Sequence, residues 1–212
     1  MTAALIPGKH AGTIVLADIS GYTAFLEDVK QAHADDAFAD GQIPYAYGLM
    51  SNLLGGIVEQ IDPPFTLVKF EGDAVFAVGE DSVGPAGSAL VGCITDCYNG
   101  FTARLDEAGL TWTCTCNACK VKNTLDLKFV VHHGNYIVQS IGTYVEVLGP
   151  DITDAHRLLK NTAASRVGSP AYALFTEAAE QTLDLSLAGG IRFAEPIEGA
   201  ASIGTVAIPL GT

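Results

Sequence analysis

Basic residues and long apolar runs are both scarce in this sequence. Lysine and arginine number 11 together against 24 aspartates and glutamates, which gives a formal net charge of −13 at pH 7. This charge repels polyanions, so we expect neither nucleic acid nor an anionic membrane as the main partner, although a metal ion would let a small anion bind. No stretch reaches the roughly eighteen apolar residues of a spanning helix, and the N-terminus is unlike a signal peptide. These absences predict a soluble, cytoplasmic protein.

Cysteine is also too sparse for a disulfide framework. The chain has five cysteines in 212 residues, and in a cytoplasmic protein we expect them to be reduced thiols or metal ligands. Hydrophobic residues make up 49% of the chain, enough for a substantial core. No repeat or linker interrupts the sequence. We therefore expect a single domain over residues 1–212.

Hydrophobic periodicity predicts an α+β fold. The order of strands and helices is typical of a ferredoxin-like plan, an antiparallel sheet with helices packed on one face. Two-residue links, Glu71-Gly72 and Gly134-Asn135, indicate hairpins. The predicted strands are 12–18, 65–70, 73–78, 125–132, 136–140 and 143–148, with short strands and turns in 191–208; the predicted helices are 22–30, 42–61, 84–105, 150–161 and 171–182.

Two aspartates lie beside predicted strands at positions that suit metal binding. Asp18 ends the apolar run IVLAD, and Asp73 follows the hairpin turn in VKFEGDAVFA. If their strands are neighbours, two hard oxygen ligands meet at one sheet edge, where they can hold Mg²⁺ or Ca²⁺, and two such ions can clamp a triphosphate. The alternative is that Asp18 caps the following helix and Asp73 completes a turn. The pattern alone favours neither interpretation.

The turn after Asp18, Ser20-Gly21-Tyr22-Thr23, suits a phosphate group. A glycine turn that leads into a helix presents backbone N–H groups and the positive end of the helix dipole. Many strand–helix turns share this pattern, so the turn supports nucleotide binding only together with the two aspartates.

Between Gly12 and Asn161 the sequence resembles the class III nucleotidyl cyclases. VLADISGYTAFLE is similar to the first metal motif of that family and KFEGDAVFA to the second, while FVVHHGNYIV and EVLGPDITDAHRLLKN resemble later segments. The resemblance implies that Asp18 and Asp73 bind two divalent cations, Mg²⁺, Mn²⁺ or Ca²⁺, with the Ile19 carbonyl also reaching the metal. It further implies an ATP-binding homodimer with sites at the interface, in which one subunit supplies the metal ligands and its partner the lysine and the arginine.

The same resemblance assigns the remaining nucleotide contacts, with two departures from the family pattern. Lys69 lies at the position of the adenine-selecting lysine, and Arg157 at that of the arginine that stabilises the transition state. The second adenine-reading residue, an aspartate in the family, is Glu146 here. The asparagine that orients the ribose is Thr153, which is shorter and makes fewer hydrogen bonds. Asn161, one turn beyond Arg157, lies on the wrong side in sequence to replace it.

A cysteine run, Cys114, Cys116 and Cys119, lies in a segment that ordinary cyclase cores do not carry. We predict that residues 109–123 form a Cys-rich insertion within the domain. Three thiols this close can share one structural Zn²⁺, with a cysteine of the preceding helix or a partner residue as fourth ligand. They can equally be small buried apolar residues, and the spacing does not decide between the two.

Three functions fit the sequence. The first, which we prefer, is an ATP-binding, cyclase-like sensor or regulatory module with weak or absent cyclase activity, because Thr153 replaces the orienting asparagine. The second is an active adenylate cyclase that converts ATP to cyclic AMP and pyrophosphate by two-metal catalysis. The third is a zinc-stabilised interaction protein whose carboxylates are only caps. Without the resemblance, Lys69 is interpreted as an edge-strand lysine and Arg157 as a surface charge.

Overall fold

The computed structural model describes residues 5–32, 45–82, 84–85, 87–111 and 124–211. No helix within these residues is long and apolar enough to cross a membrane. The strands are β1 (Gly8–Ser20), β2 (Thr66–Glu71), β3 (Ala74–Glu80), β4 (Asp126–Ile141), β5 (Tyr144–Leu148), β6 (Tyr172–Thr176), β7 (Ile191–Glu195) and β8 (Ile203–Pro209). The helices are α1 (Tyr22–Ala32), α2 (Tyr45–Ile61), α3 (Ser88–Thr111), α4 (Pro150–Arg157), α5 (Ala163–Val167) and α6 (Glu177–Thr182).

Eight strands form one sheet. Their order is β2-β3-β1-β4-β6-β8-β7, and β5 pairs with the second half of β4. Every pairing is antiparallel except the one between β4 and β6. The expected α+β fold with a mainly antiparallel sheet is therefore confirmed. The tail after Gly189 joins this sheet as β7 and β8.

Strand β1 is buried on both faces of the sheet. Val15, Ala17 and Ile19 pack in the core that includes α1, α2 and α3. Ile14 and Leu16 pack on the opposite face, in the core that includes α4 and α5. The expectation that the helices cover one face is therefore wrong. A strand that is apolar on both sides needs a layer on each, and the short helices after β5 supply the second.

The predicted hairpin at Gly134-Asn135 is wrong, because β4 runs as one strand from Asp126 to Ile141. The glycine serves a close approach instead of a turn, since a Cβ on Gly134 would overlap with the side chain of Asp151 in α4. The same carboxylate accepts a hydrogen bond from the Asn135 N–H at 2.6 Å. The Gly-Asn pair thus fixes the start of α4 against β4.

The predicted helix over 171–182 is wrong in its first half. Residues Tyr172–Thr176 form β6, in which every residue is buried. A short apolar run of this kind is not distinguished from a buried helix by periodicity alone. Thr176 then caps α6, because its Oγ1 accepts a hydrogen bond from the Ala179 N–H at 3.2 Å. The predicted helix 150–161 ends earlier, at Arg157.

Gly134→Ala tests the packing of α4 on β4. The added methyl group overlaps with Asp151, so we expect a loss of about 1–3 kcal/mol in the free energy of unfolding, measured by urea denaturation. The control is Gly55→Ala in α2, where a Cβ meets no atom within 4 Å. Alanine is the better helix former, so the control should gain about 0.5–1 kcal/mol. Equal stabilities of the two variants would contradict this account.

His132 should make the stability of the fold depend on pH. The side chain is buried in β4, with Nδ1 2.9 Å from Oγ1 of Thr176, and burial lowers its pKa although Asp151 opposes the shift. The unfolded chain then binds this proton more tightly, so the free energy of unfolding should decrease as the pH falls below about 6.5. In urea denaturation, His132→Gln should show a shallower decrease. A decrease of the same size in both proteins would argue against this role.

Candidate functional site

Asp18 and Asp73 lie together at one end of β1. Asp18 pairs in register with Ala74, the first residue of β3, and Asp73 immediately precedes that strand. The Asp73 carbonyl accepts a hydrogen bond from the Ile19 N–H at 3.3 Å. Both carboxylates line one pocket of about 400 Å³.

The two carboxylates repel each other in this pocket. Burial raises the pKa of Asp73, and the neighbouring Asp18 carboxylate raises it further. Carboxylate oxygens are preferred ligands of Mg²⁺, Mn²⁺ and Ca²⁺, so the donor set fits a divalent cation that would neutralise this repulsion. No group of three His, Cys, Asp or Glu side chains within the described ranges is arranged to hold a metal. Backbone carbonyls, water or nucleotide oxygens would therefore complete the coordination.

Lys128 is a residue of this pocket that the sequence analysis missed. It lies on β4 opposite Asp18 in register, and its Nζ is 2.8 Å from Oδ2 of that aspartate. The ammonium group also donates to the Leu159 carbonyl at 3.4 Å. Its positive charge opposes the rise in the pKa of Asp73. The available signal was a lone lysine in the apolar run LDLKFVV, because a charge in a buried strand requires a partner of opposite charge.

The turn between β1 and α1 forms another wall of the pocket. Ser20, Gly21, Tyr22 and Thr23 all line it. Gly21 has a φ of 83°, a conformation that favours glycine. A Cβ at this position would lie 2.7 Å from the Thr124 carbonyl oxygen, so glycine is also required for the close approach of the turn to Thr124. The first N–H groups of a helix have no partner within it. The turn therefore offers donors for an anion beside the two carboxylates.

A second cluster of charged residues joins β2, β5 and α4. Lys69 Nζ lies 3.0 Å from Oε2 of Glu146 and 3.5 Å from Oε1 of Glu71. Oε2 of Glu71 lies 2.8 Å from Nε2 of His156. The hydrogen bond to Glu146 is the main reason for the raised pKa of Lys69. Among the described residues, no hydrogen bond or ion pair connects this cluster to the two aspartates of the pocket.

Helix α4 carries Thr153 and Arg157 one turn apart. The Thr153 hydroxyl donates a hydrogen bond to the Gly149 carbonyl at 3.1 Å, so it is engaged within its own helix. The Arg157 side chain is 45% exposed, and its Nη1 lies 3.3 Å from Oδ1 of Asp154. The arginine is thus accessible, whereas the threonine is turned back on the helix.

Both the oxygen and the nitrogen of the Asn161 amide make hydrogen bonds within the fold. Its Oδ1 accepts hydrogen bonds from the Tyr172 hydroxyl at 3.0 Å and from the Ala163 N–H at 2.8 Å. Its Nδ2 donates to the Leu158 carbonyl at 2.7 Å. This side chain is therefore occupied and does not replace the asparagine that Thr153 displaces.

The cysteine run lies outside the described residues. Helix α3 extends to Thr111, and Cys114, Cys116 and Cys119 fall in the segment 112–123. The Cys-rich insertion over 109–123 and its zinc site therefore stay predictions. In α3, the Cys97 thiol is buried, and burial raises its pKa to about 12, which disfavours the thiolate that a zinc ion requires.

Comparison with known structures identifies the fold as that of the class III cyclase domains. The adenylyl cyclase CyaB from Pseudomonas aeruginosa superimposes with a TM-score of 0.66 at 15% identity, over 96% of each chain. The guanylyl cyclase Cya2 gives 0.61 at 13% identity, over 98% of this chain and 96% of that one. A class III adenylyl cyclase-like ATP-binding protein from P. aeruginosa has a TM-score of 0.59 at 15% identity. That match covers 84% of this chain and 35% of the other.

Sequence comparison places the chain in a family without an assigned activity. Residues 50–167 match the family described as "Protein of unknown function (DUF2652)", and the chain belongs to that family. It is also 30% identical, over 142 residues, to the uncharacterized protein Rv2561/Rv2562 of Mycobacterium tuberculosis. That match spans 65% of this chain and 62% of the relative.

Asp73→Asn tests the pocket as a cation site. The variant removes one of two repelling carboxylates, so without metal it should melt at the same temperature as the wild type or higher. Mn²⁺ should raise the melting temperature of the wild type, because a ligand selective for the folded state stabilises it, but not that of the variant. Asp106→Asn, at an exposed position of α3, is the control and should respond to Mn²⁺ like the wild type. Equal Mn²⁺ shifts in all three proteins would exclude this site.

Proposed function

We propose that the protein binds ATP with divalent cations at the Asp18–Asp73 pocket and has weak or no cyclase activity, as a nucleotide sensor or regulatory module. The observation that carries this proposal is that Asp18 and Asp73 line one pocket beside the start of α1. The likeness in fold to a class III adenylyl cyclase-like ATP-binding protein supports it.

The pocket offers complementary groups for a triphosphate. Asp18, Asp73 and the Ile19 carbonyl would hold two divalent cations, Mg²⁺, Mn²⁺ or Ca²⁺, which neutralise phosphate charge and polarise the α-phosphate when bound. The N–H groups of residues 20–23 suit the outer phosphates. Lys128 adds a positive charge, which would move from Asp18 to a phosphate oxygen once a cation takes its place.

The Lys69–Glu146 pair suits the adenine base. An ammonium group donates to adenine N1, and a carboxylate accepts from the N6 amine, so this donor–acceptor order matches adenine and opposes guanine. Because this pair makes no contact with the aspartates of its own chain, we propose that it serves the pocket of a partner. A two-fold homodimer then has two equivalent sites at its interface.

The hydrogen bonds of Thr153 and Asn161 are the reason to expect weak cyclase activity. Cyclisation requires the ribose 3′-oxygen to be held in line with the α-phosphate, and misplacement of about 1 Å can slow such a step by about 100-fold. The Thr153 hydroxyl is bonded to the carbonyl of Gly149, and the Asn161 amide is bonded to Leu158, Ala163 and Tyr172, so we expect neither to orient the ribose. ATP affinity depends on other groups and is retained.

The second candidate is an active adenylate cyclase. The exposure of Arg157 favours it, because the guanidinium is accessible for the charge that develops at phosphate. Both candidates share the same ATP site and differ only in turnover.

Incubation with ATP and Mn²⁺, followed by chromatography, separates the two candidates. We expect the wild type to retain bound ATP and form little cyclic AMP. Thr153→Asn should raise cyclic AMP formation by about 10-fold or more, because it restores an amide at the orienting position. Thr153→Ala, the control, should leave the rate low. Rapid conversion by the wild type that Asp73→Asn abolishes would establish the active cyclase, and absence of ATP binding would exclude both candidates.

A further inference from the structure

Four ionisable side chains, two acidic and two basic in alternation, run from β5 across β2 to α4: Glu146, Lys69, Glu71 and His156. Glu71 is the link, because its two carboxylate oxygens face different partners, Lys69 at 3.5 Å and His156 at 2.8 Å. The Glu71 and His156 side chains are 29% and 25% exposed, so these contacts are screened less than those on open surface.

The His156 ring is fixed on three sides. Its Nδ1 lies 2.7 Å from the Ile152 carbonyl one turn earlier, and its ring meets Phe76 edge-on at 5.0 Å. Its Nε2 lies 2.8 Å from Oε2 of Glu71, and this contact is an ion pair when the ring is protonated. Both ring nitrogens therefore lie beside oxygen atoms, the Ile152 carbonyl and the Glu71 carboxylate. When protonated, His156 adds a second positive charge to the cluster.

Glu71 contacts both Lys69 and His156, so the contact with His156 affects the position of Lys69. The ammonium group is closer to Glu146, at 3.0 Å, than to Glu71, at 3.5 Å. If the His156 ring is removed, Lys69 is the one cationic partner of Glu71 left among the described residues, and Glu71 attracts it more strongly. Lys69 would then move away from Glu146, and the donor–acceptor order that suits adenine would be lost.

We propose that His156 is a positioning residue for adenine selection, acting through Glu71 on Lys69; this inference rests on the ATP binding proposed above. His156 holds one oxygen of Glu71, and Lys69 therefore keeps its place beside Glu146. His156 adjoins Arg157 on α4. The contact between His156 and Glu71 therefore also links this helix to Lys69.

The test is the affinity for ATP and for GTP, each with Mn²⁺, in the wild type, His156→Gln, Glu71→Gln and the double variant. His156→Gln should weaken ATP binding about two- to fivefold with little effect on GTP, so that the preference for ATP declines. In the double variant the Glu71 carboxylate no longer competes with Glu146 for Lys69, so the preference for ATP over GTP should return. A merely structural role would not be reversed by a second substitution.

His10→Gln is the matched control. The His10 ring also lies between a carboxylate and a carbonyl, with Nδ1 2.8 Å from Oε1 of Glu80 and Nε2 2.8 Å from the Ile6 oxygen. It lies near the other end of β1 from Asp18, so its substitution should leave both affinities unchanged.

The outcomes separate this inference from the proposed function. If the wild type binds no ATP, both are overturned. If it binds ATP but His156→Gln keeps the same preference, or the double variant does not recover it, only the role of His156 is overturned. If His156→Gln does not fold, His156→Arg, which keeps a positive group beside Glu71, should retain the wild-type preference, and its loss would overturn the role.

Discussion

The pairing of β1 with β3 brings two carboxylates into one pocket, and the chemistry of the site depends on the charge concentrated there. Asp18 and Asp73 are held by strands that the core buries, so they do not separate to relieve their repulsion. One lysine, Lys128, offsets part of this charge from the next strand. In the proposed function, cations bound at this site would allow binding of a polyanion that the acidic chain would otherwise repel.

Helix α4 packs on the second face of the sheet, and contacts at both of its ends fix its position. Helix α4 is fixed at its start by Asp151 against β4 and at its end by His156 against Glu71 of β2. These two contacts determine where Thr153 and Arg157 lie relative to Lys69 and Glu146, the pair proposed to bind the base. The helix thus links the sheet to the groups proposed to act on ribose and phosphate, which is why its packing bears on function as well as stability.

The aspartate pair and the central elements could be predicted from the sequence, because strand and helix periods are local and the motifs are contiguous. Residues whose role depends on tertiary packing could not. Gly134 suggests a turn by its local pattern, but its small size is required by Asp151 from a later helix. Lys128 acquires its role only from the register of β4 with β1. The sequence pattern predicts a helix where β6 lies, because a short buried run has no distinguishing period.

The central claim is that Asp18 and Asp73 together bind a divalent cation that carries a nucleotide. It is tested most directly by anomalous X-ray scattering from crystals grown with Mn²⁺ and a non-hydrolysable ATP analogue. We expect manganese peaks between the two carboxylates, with the triphosphate beside the turn of residues 20–23 and Lys128 displaced from Asp18. A nucleotide and metal bound elsewhere, with the Lys128–Asp18 ion pair intact, would contradict this account.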